Sequence, residues 1–565
     1  MIGANMVTQF ALSTAVLMLA GCASGIGFVL SPKAKDLHLA ATLGLDADTV
    51  LLNHARFRQA VANLRESDIP TEWATIPIDH DDYSVGTYQN RYWVTTEYYQ
   101  PGGPVFVYDV GESSAEDAAQ VLLVNSSQFF VPFLEEFHGI GIVWEHRYYG
   151  DSLPFPVNVD TPPEYFQYLT NRQALADLPY FAQNFSRAEF PNQDLTPKST
   201  PWVMVGGSYS GMRSAFSRNE YPDTFFAAYA SSAPVQARIN MSIYFEQVYR
   251  GMVAYGYGNC AKDLHAAHAY IDQELAQNDT AAAAIKRLFL GAGAENNTNA
   301  DFTFAIDLIY SNFQSYGMGG GNTGLASLCE YLENPATNQS TAINQTAPAD
   351  GWAPYIGNKA VAERLASWPN LVPLVNGWYD INCKGLDTSQ PVSCQLGQPT
   401  TDPDMISWMW QYCSQWGFFQ SNNFGPHALL SRYETLEYNQ LLCYRQFPGA
   451  VESGVLPVRP DVDGVNQETG GWTIRPSNVY WSGGEFDPWR TLSPLSTEAF
   501  AQQGVNFTTA IPKCGVRTSE DELFGYIMKD AEHCFDFNTQ FAGGAASRAN
   551  FVNALHEWLP CWTRT

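Results

Sequence analysis

The chain has 565 residues, 45% of them hydrophobic and 14% aromatic, with 57 acidic against 30 basic side chains. That length exceeds one ordinary domain and suits a large catalytic domain carrying an insertion, with ample apolar material for its core. A net charge of −27 excludes nucleic acid and anionic membranes as natural partners; it maintains solubility, also at low pH where many carboxylates are neutral.

The first 25 residues read as a signal peptide: Phe10–Ala20 is an apolar core too short for a membrane span, followed by small residues through Gly25. No Lys or Arg precedes it, and Leu19-Ala-Gly-Cys22 also resembles a bacterial lipoprotein site. The mature chain is therefore expected to be secreted and free of the membrane, with a vacuolar or lysosomal compartment as second choice and a monomer or homodimer as its state. Residues 26–70 carry a predicted helix over Ala47–Glu66 and are read as a pro-segment or an N-terminal brace.

From 71 to 237 strand and helix patterns alternate. Val105–Tyr108, Gly141–Trp144 and Val203–Val205 are apolar throughout, as strands covered on both faces should be. The third runs into Gly206-Gly-Ser-Tyr-Ser210, a strand-to-helix turn that lifts Ser208 to the top of a sheet as a nucleophile. The usual form is G-x-S-x-G; here Ser210 stands at the last position.

Between 238 and 469 the pattern becomes largely helical (Ala261–Gln277, Thr280–Leu290) and loop-rich (Gly317–Asn322, Pro391–Pro403). This is the signature of a helical cap inserted between nucleophile and acid. Trp408, Trp410, Trp416, Phe418 and Phe419 form an aromatic cluster in it that closes a cleft or, by default, makes cap core. The sheet resumes in 470–565. A strand from Asn478 ends in Gly483-Gly-Glu-Phe-Asp-Pro-Trp489, placing Asp487 just beyond the turn, and His533 follows the strand-like Thr508–Ile511. The chain order Ser208, Asp487, His533 is that of α/β-hydrolase triads. Glu485 competes as the acid; His556, in a helical run, competes as the base.

Without Cys22, nine cysteines remain, so one thiol stays unpaired in an oxidising compartment. Spacing does not fix connectivity, but sequence neighbours suggest Cys383–Cys394, Cys413–Cys443, Cys260–Cys329 and Cys514–Cys561, leaving Cys534 as the free thiol. A bridge there would tether the loop that must place His533. Glycosylation acceptor triplets start at Asn125, Asn184, Asn240, Asn278, Asn296, Asn338, Asn344 and Asn506. No metal motif is present, and no cofactor is expected.

Gly206-Gly-Ser-Tyr-Ser-Gly211, Gly483–Trp489 and the downstream His533 resemble the Pro-Xaa carboxypeptidase and dipeptidyl-peptidase II family of serine peptidases. Gly102–Tyr108, Glu145–Ser152 and Leu169–Asp177 add to the likeness. Thr200–Val205 and His533-Cys534 are most similar to the fungal secreted branch, which includes acid prolyl endopeptidases. The resemblance implies an α/β-hydrolase fold and hydrolysis on the carboxyl side of proline in proline-rich peptides or proteins, at acidic pH. It also implies an oxyanion hole from the Tyr209 amide with Gly111 or Glu112, and a proline slot lined by Met212 and Trp489. Endo- and exo-cleavage stay open. The alternatives are an esterase or a noncatalytic binding protein on the same fold.

Overall fold

The structure is a computed structural model that describes residues 33–65, 68–334 and 347–563. The expected signal peptide with Cys22, Glu66, and the acceptor asparagines Asn338 and Asn344 lie outside the described residues.

The strands are β1 (Glu72–Pro77), β2 (Thr87–Thr95), β3 (Val105–Asp109), β4 (Ile140–Trp144), β5 (Trp202–Gly207), β6 (Phe225–Ser231), β7 (Arg238–Asn240), β8 (Gly417–Phe419), β9 (Val479–Gly484), β10 (Asn506–Thr508) and β11 (Glu522–Met528). Nine of them form one sheet in the order β1-β2-β4-β3-β5-β6-β9-β11-β10, and β7 pairs with β8 separately. β2 is antiparallel to β1 and β4; from β4 onward every neighbour is parallel. The parallel strands β3, β4, β5 and β9 are buried along their whole length, which is why they read as unbroken apolar runs rather than alternating ones. This is an α/β-hydrolase fold with a helical insertion.

Three helices precede the sheet: α1 (Lys33–Thr42), α2 (Ala47–Leu51) and α3 (His54–Leu64). The single helix expected over Ala47–Glu66 is thus two. Asn53 interrupts it, because its side chain accepts the Arg56 N–H and starts a new helix. Within the sheet's crossovers lie α4 (Glu116–Leu122), α5 (Val131–Phe137), α6 (Asn171–Ala182) and α7 (Tyr209–Glu220).

Between β6 and β9 the chain is mostly helical, opening with α8 (Ile243–Ala254), α9 (Gly258–Gln277) and α10 (Asp279–Leu290). Asn278 separates the last two, its side chain accepting the N–H groups of Thr280 and Ala281. Cys260–Cys329, Cys383–Cys394 and Cys413–Cys443 are bonded within this insertion, and Cys514–Cys561 joins the chain before β11 to its C-terminal end. Cys534 is a buried free thiol. The strand expected at Thr508–Ile511 is β10, which ends at Thr508; Ala510 and Ile511 lie in coil.

Candidate active site

β5 delivers Ser208 at φ 62°, ψ −128° to the start of α7, a backbone conformation that a side-chain-bearing residue adopts only when its surroundings enforce it. They do so here. A Cβ on Gly206 would stand 2.3 Å from the Ser210 carbonyl oxygen, and one on Gly211 would stand 2.4 Å from that of Ser231. The close packing of helix on strand therefore falls on Gly211. Ser210 acts differently: its hydroxyl donates to the Gly207 carbonyl at 2.7 Å and accepts the Gly207 N–H at 3.2 Å. The departure from the usual motif is thus a brace across the turn.

His533 comes from the loop after β11. Its Nδ1 lies 2.9 Å from Asp487 Oδ1, and its Nε2 is buried with no hydrogen-bond partner. The same Asp487 oxygen accepts the Trp489 backbone N–H at 2.9 Å, so the carboxylate is fixed by the turn that presents it. Burial alone would depress the His533 pKa. Attraction to Asp487 outweighs it and holds the imidazolium well above its ordinary value. Ser208, Asp487 and His533 are all buried. The loop of His533 lies on the elbow itself, since a Cβ on Gly207 would meet Cys534 Sγ at 2.8 Å.

The competing groups are engaged elsewhere. Glu485 accepts the Asp530 N–H at 3.1 Å, and His556 pairs with Glu136 at the surface, 2.8 Å away. Asp536 accepts the hydroxyls of Tyr229 and Ser231, each at 2.6 Å, and that of Ser482. Burial pushes the Glu532 carboxyl up to about 8; it takes the Tyr255 hydroxyl at 2.7 Å.

The turn after β3 packs against the elbow: Gly111, at φ 81°, would bring a Cβ to 3.3 Å from Ser210 Cβ. Its N–H already donates to Asp109 Oδ1 at 2.9 Å, which removes it from the expected oxyanion donors. Glu112 next to it is buried, and neither carboxylate oxygen has a partner. Burial raises its pKa to about 8, so at neutral pH it is largely uncharged. Asp109 also receives Arg213 Nε at 2.7 Å, locking this turn to α7.

Trp489 stands beside His533, ring centroids 6.4 Å apart, boxed by Tyr244 at 5.9 Å and Phe418 at 5.2 Å. Met212 is fully buried on α7, with its N–H on the Ser208 carbonyl at 3.0 Å. The expected aromatic cluster divides. Trp408 and Trp416 pack on Tyr209 at 5.2 and 6.0 Å, Phe418 on Trp489, Phe419 against Tyr412 at 6.2 Å, and Trp410 against Phe166 and Phe447, each at 5.3 Å.

The remaining runs that carry the family likeness are scaffold. Glu145 binds Arg91 through both oxygens, at 2.7 and 2.9 Å, and takes the Ser152 hydroxyl at 2.6 Å. Arg147 and His80 converge on Asp177, whose carboxyl they hold down to about 2 against the effect of burial. Sequence reasoning missed Gln314, whose side chain takes the Trp489 indole N–H at 3.1 Å and whose carbonyl takes the His533 N–H at 3.0 Å. It also missed His38, whose ring lies 6.0 Å from that of His533. No motif marked either residue.

Of the acceptor asparagines, Asn184, Asn240, Asn278, Asn296 and Asn506 are exposed. Asn125 is not: it is buried, donates to the Leu64 carbonyl at 3.1 Å and accepts the Ser127 hydroxyl at 2.5 Å. A glycan on its buried Nδ2 would have to displace the contact with Leu64. Among the described residues, no cluster of three or more His, Cys, Asp or Glu side chains could hold a metal ion, and no helix is long and apolar enough to cross a membrane.

A family model described as serine carboxypeptidase S28 matches residues 77–507. A probable extracellular serine carboxypeptidase of Arthroderma benhamiae is 27% identical over 498 residues, which cover 83% of this chain but 63% of that relative's length. The human thymus-specific serine protease is 25% identical, with 84% of this chain and 83% of its own covered. The human lysosomal Pro-X carboxypeptidase is also 25% identical, at 73% and 76% coverage.

Proposed function

The chain belongs to the serine carboxypeptidase S28 family, and from that premise we propose that it hydrolyses peptide bonds on the carboxyl side of proline through a Ser208 acyl-enzyme. The observation that carries this reading is the His533–Asp487 contact of 2.9 Å, with the opposite ring nitrogen buried and unpartnered, in a chain whose Ser208 holds the strained turn.

Ser208 Oγ attacks the scissile carbonyl while His533 Nε2 takes its proton. Asp487 keeps Nδ1 protonated and steadies the imidazolium. The oxyanion is met by the Tyr209 N–H, which as the first residue of α7 has no intrahelical acceptor, and by the Glu112 N–H. A neutral Glu112 carboxyl adds no charge to oppose the oxyanion. Such donors contribute about 3–4 kcal/mol each to the transition state. His533 then protonates the leaving amine, and water, activated by the same ring, releases the acyl group.

Proline selectivity is assigned to Trp489 and Met212: a flat indole and a thioether enclose a pyrrolidine ring, contributing roughly 1.5–3 kcal/mol. The likeness to relatives named extracellular and lysosomal supports action outside the cytosol on proline-containing peptides or proteins. The raised His533 pKa leads us to take activity as rising with pH, against the acidic optimum that the family resemblance implies.

Incubating the protein with end-blocked and free proline peptides, followed by mass spectrometry, tests the reading. Cleavage after proline that disappears in Ser208→Ala supports it. Hydrolysis of simple esters with no peptide cleavage replaces it with the esterase reading.

A further inference from the structure

A peptidase must admit a peptide to its serine, yet the whole triad is buried, and part of what buries it comes from ahead of the sheet. Helix α1 is enclosed along most of its length: Asp36, Leu37, His38, Leu39, Ala40, Ala41 and Thr42 are all buried, as a helix inserted into a cleft would be. It packs on the short helix Phe313–Tyr316, the one whose Gln314 holds His533 and Trp489. From it His38 faces His533 with the rings tilted by 59°, and His38 Nδ1, like His533 Nε2, is buried without a partner.

Beyond α1 the segment is docked by polar contacts at two places, Leu45–Asp48 and Leu64–Arg65. On the insertion side, Asp48 accepts four hydrogen bonds from Asn322 and Thr323, at 2.7–3.0 Å, and the Leu45 carbonyl takes the Tyr316 hydroxyl at 3.0 Å. On the sheet side, Arg65 reaches Asp117 at 2.7 Å, and Asn125 donates to the Leu64 carbonyl at 3.1 Å. In chain order it thus passes from the triad at His38 to the insertion at Asp48 and then to α4 at Arg65. None of the four disulfides joins it to the rest, and the chain beyond it is exposed at Asp68, Pro70 and Thr71 before β1 begins. It also lies ahead of residues 77–507, which the family model matches.

We propose that residues 33–65 are an intramolecular plug: α1 occupies the substrate approach with His38 against His533, and hydrolysis of one backbone bond within Asp68–Thr71 releases it and switches the peptidase on. Water supplies the hydroxyl of the new carboxyl terminus and a proton to the new amine; no other reactant is needed. The inference rests on the serine-peptidase reading above.

The test places a recognition site for a sequence-specific protease after Asp68 in the full chain. Fluorophosphonate labelling of Ser208 and hydrolysis of a proline-linked chromogenic peptide are followed before and after cutting, with Ser208→Ala as blank and a thermal melt of each form. Release of the segment should raise both rates at least ten-fold while the remaining chain still melts cooperatively, and a synthetic 33–65 peptide should suppress them again. Leu37→Asp, which unseats α1 without any cut, should raise the basal rates in the same direction. Equal rates before and after release overturn the plug, as does loss of the cooperative melt on release, which would make the segment a brace. Absence of labelling and of peptide cleavage in every form would instead remove the peptidase reading itself.

Discussion

The side-chain oxygen of Gln314 accepts the Trp489 indole N–H at 3.1 Å, and through its carbonyl the same residue holds the His533 backbone N–H. The proposed proline slot and the proposed base therefore share one support from the insertion. Trp489→Ala should lower kcat/KM for proline-linked peptides about 10- to 100-fold, the loss expected for a ring worth a few kcal/mol. Fluorophosphonate labelling of Ser208 should change by less than about three-fold, since labelling needs the triad and not the slot. If labelling falls as far as peptide cleavage, the indole supports His533 rather than the substrate.

Ser210→Ala removes the hydroxyl that bonds both polar groups of Gly207 and leaves them buried. The expected cost is about 1–3 kcal/mol of stability, read as a lower urea midpoint at unchanged m-value, together with slower labelling of Ser208. A variant as stable and as reactive as the parent would show that the strained turn is held by its glycines alone.

The pH dependence follows from His533. The neutral ring is the proposed base, and its pKa is held well above the ordinary value, near 6.5. Labelling should therefore climb with pH through that raised value and fall away in acid. Asp487→Asn should shift this limb downward while reducing turnover by about 10⁴. The stability linkage runs the opposite way: the ion pair's contribution is complete below about pH 6.5 and is lost as pH rises through the folded value. Full labelling below about pH 4.5 would contradict this account.

Much of the site was legible because the chemistry is local in sequence. Strand, glycine turn and proposed catalytic side chain are contiguous at Ser208 and again at Asp487, so both turns could be read directly. Chain order left His533 and His556 as candidates for the base, and the helical run around His556 favoured His533. What stayed hidden depends on tertiary contacts. Gln314 and His38 reach the centre from short helices whose sequences carry no motif. The Gly111 N–H was excluded as an oxyanion donor only by the position of the Asp109 carboxylate. Ser210 looked like a weakened motif because the hydroxyl's two bonds are invisible in the sequence. In the sheet, the antiparallel β1 and β2, and β11 with its polar start at Glu522 and a glycine at 525, give weaker signals than the buried parallel strands. The pair β7 and β8 joins segments far apart in the chain.

Cys534 should be the one free thiol within residues 33–563. Burial raises its pKa, although His533 lies beside it, so iodoacetamide at about pH 8 should not modify the native protein. After unfolding without reductant, peptide mapping should find alkylation at Cys534 and intact bridges at the other eight positions. A bridged Cys534, or rapid native alkylation, would contradict the packing of the His533 loop on the elbow.

The most direct test of the central claim compares hydrolysis of matched proline-linked and leucine-linked chromogenic peptides by the parent protein and by Ser208→Ala. The account predicts at least ten-fold preference for proline in the parent and a loss of roughly 10⁶ in turnover in the variant. Equal hydrolysis of the two peptides would contradict the specificity, and activity surviving in Ser208→Ala would contradict the nucleophile.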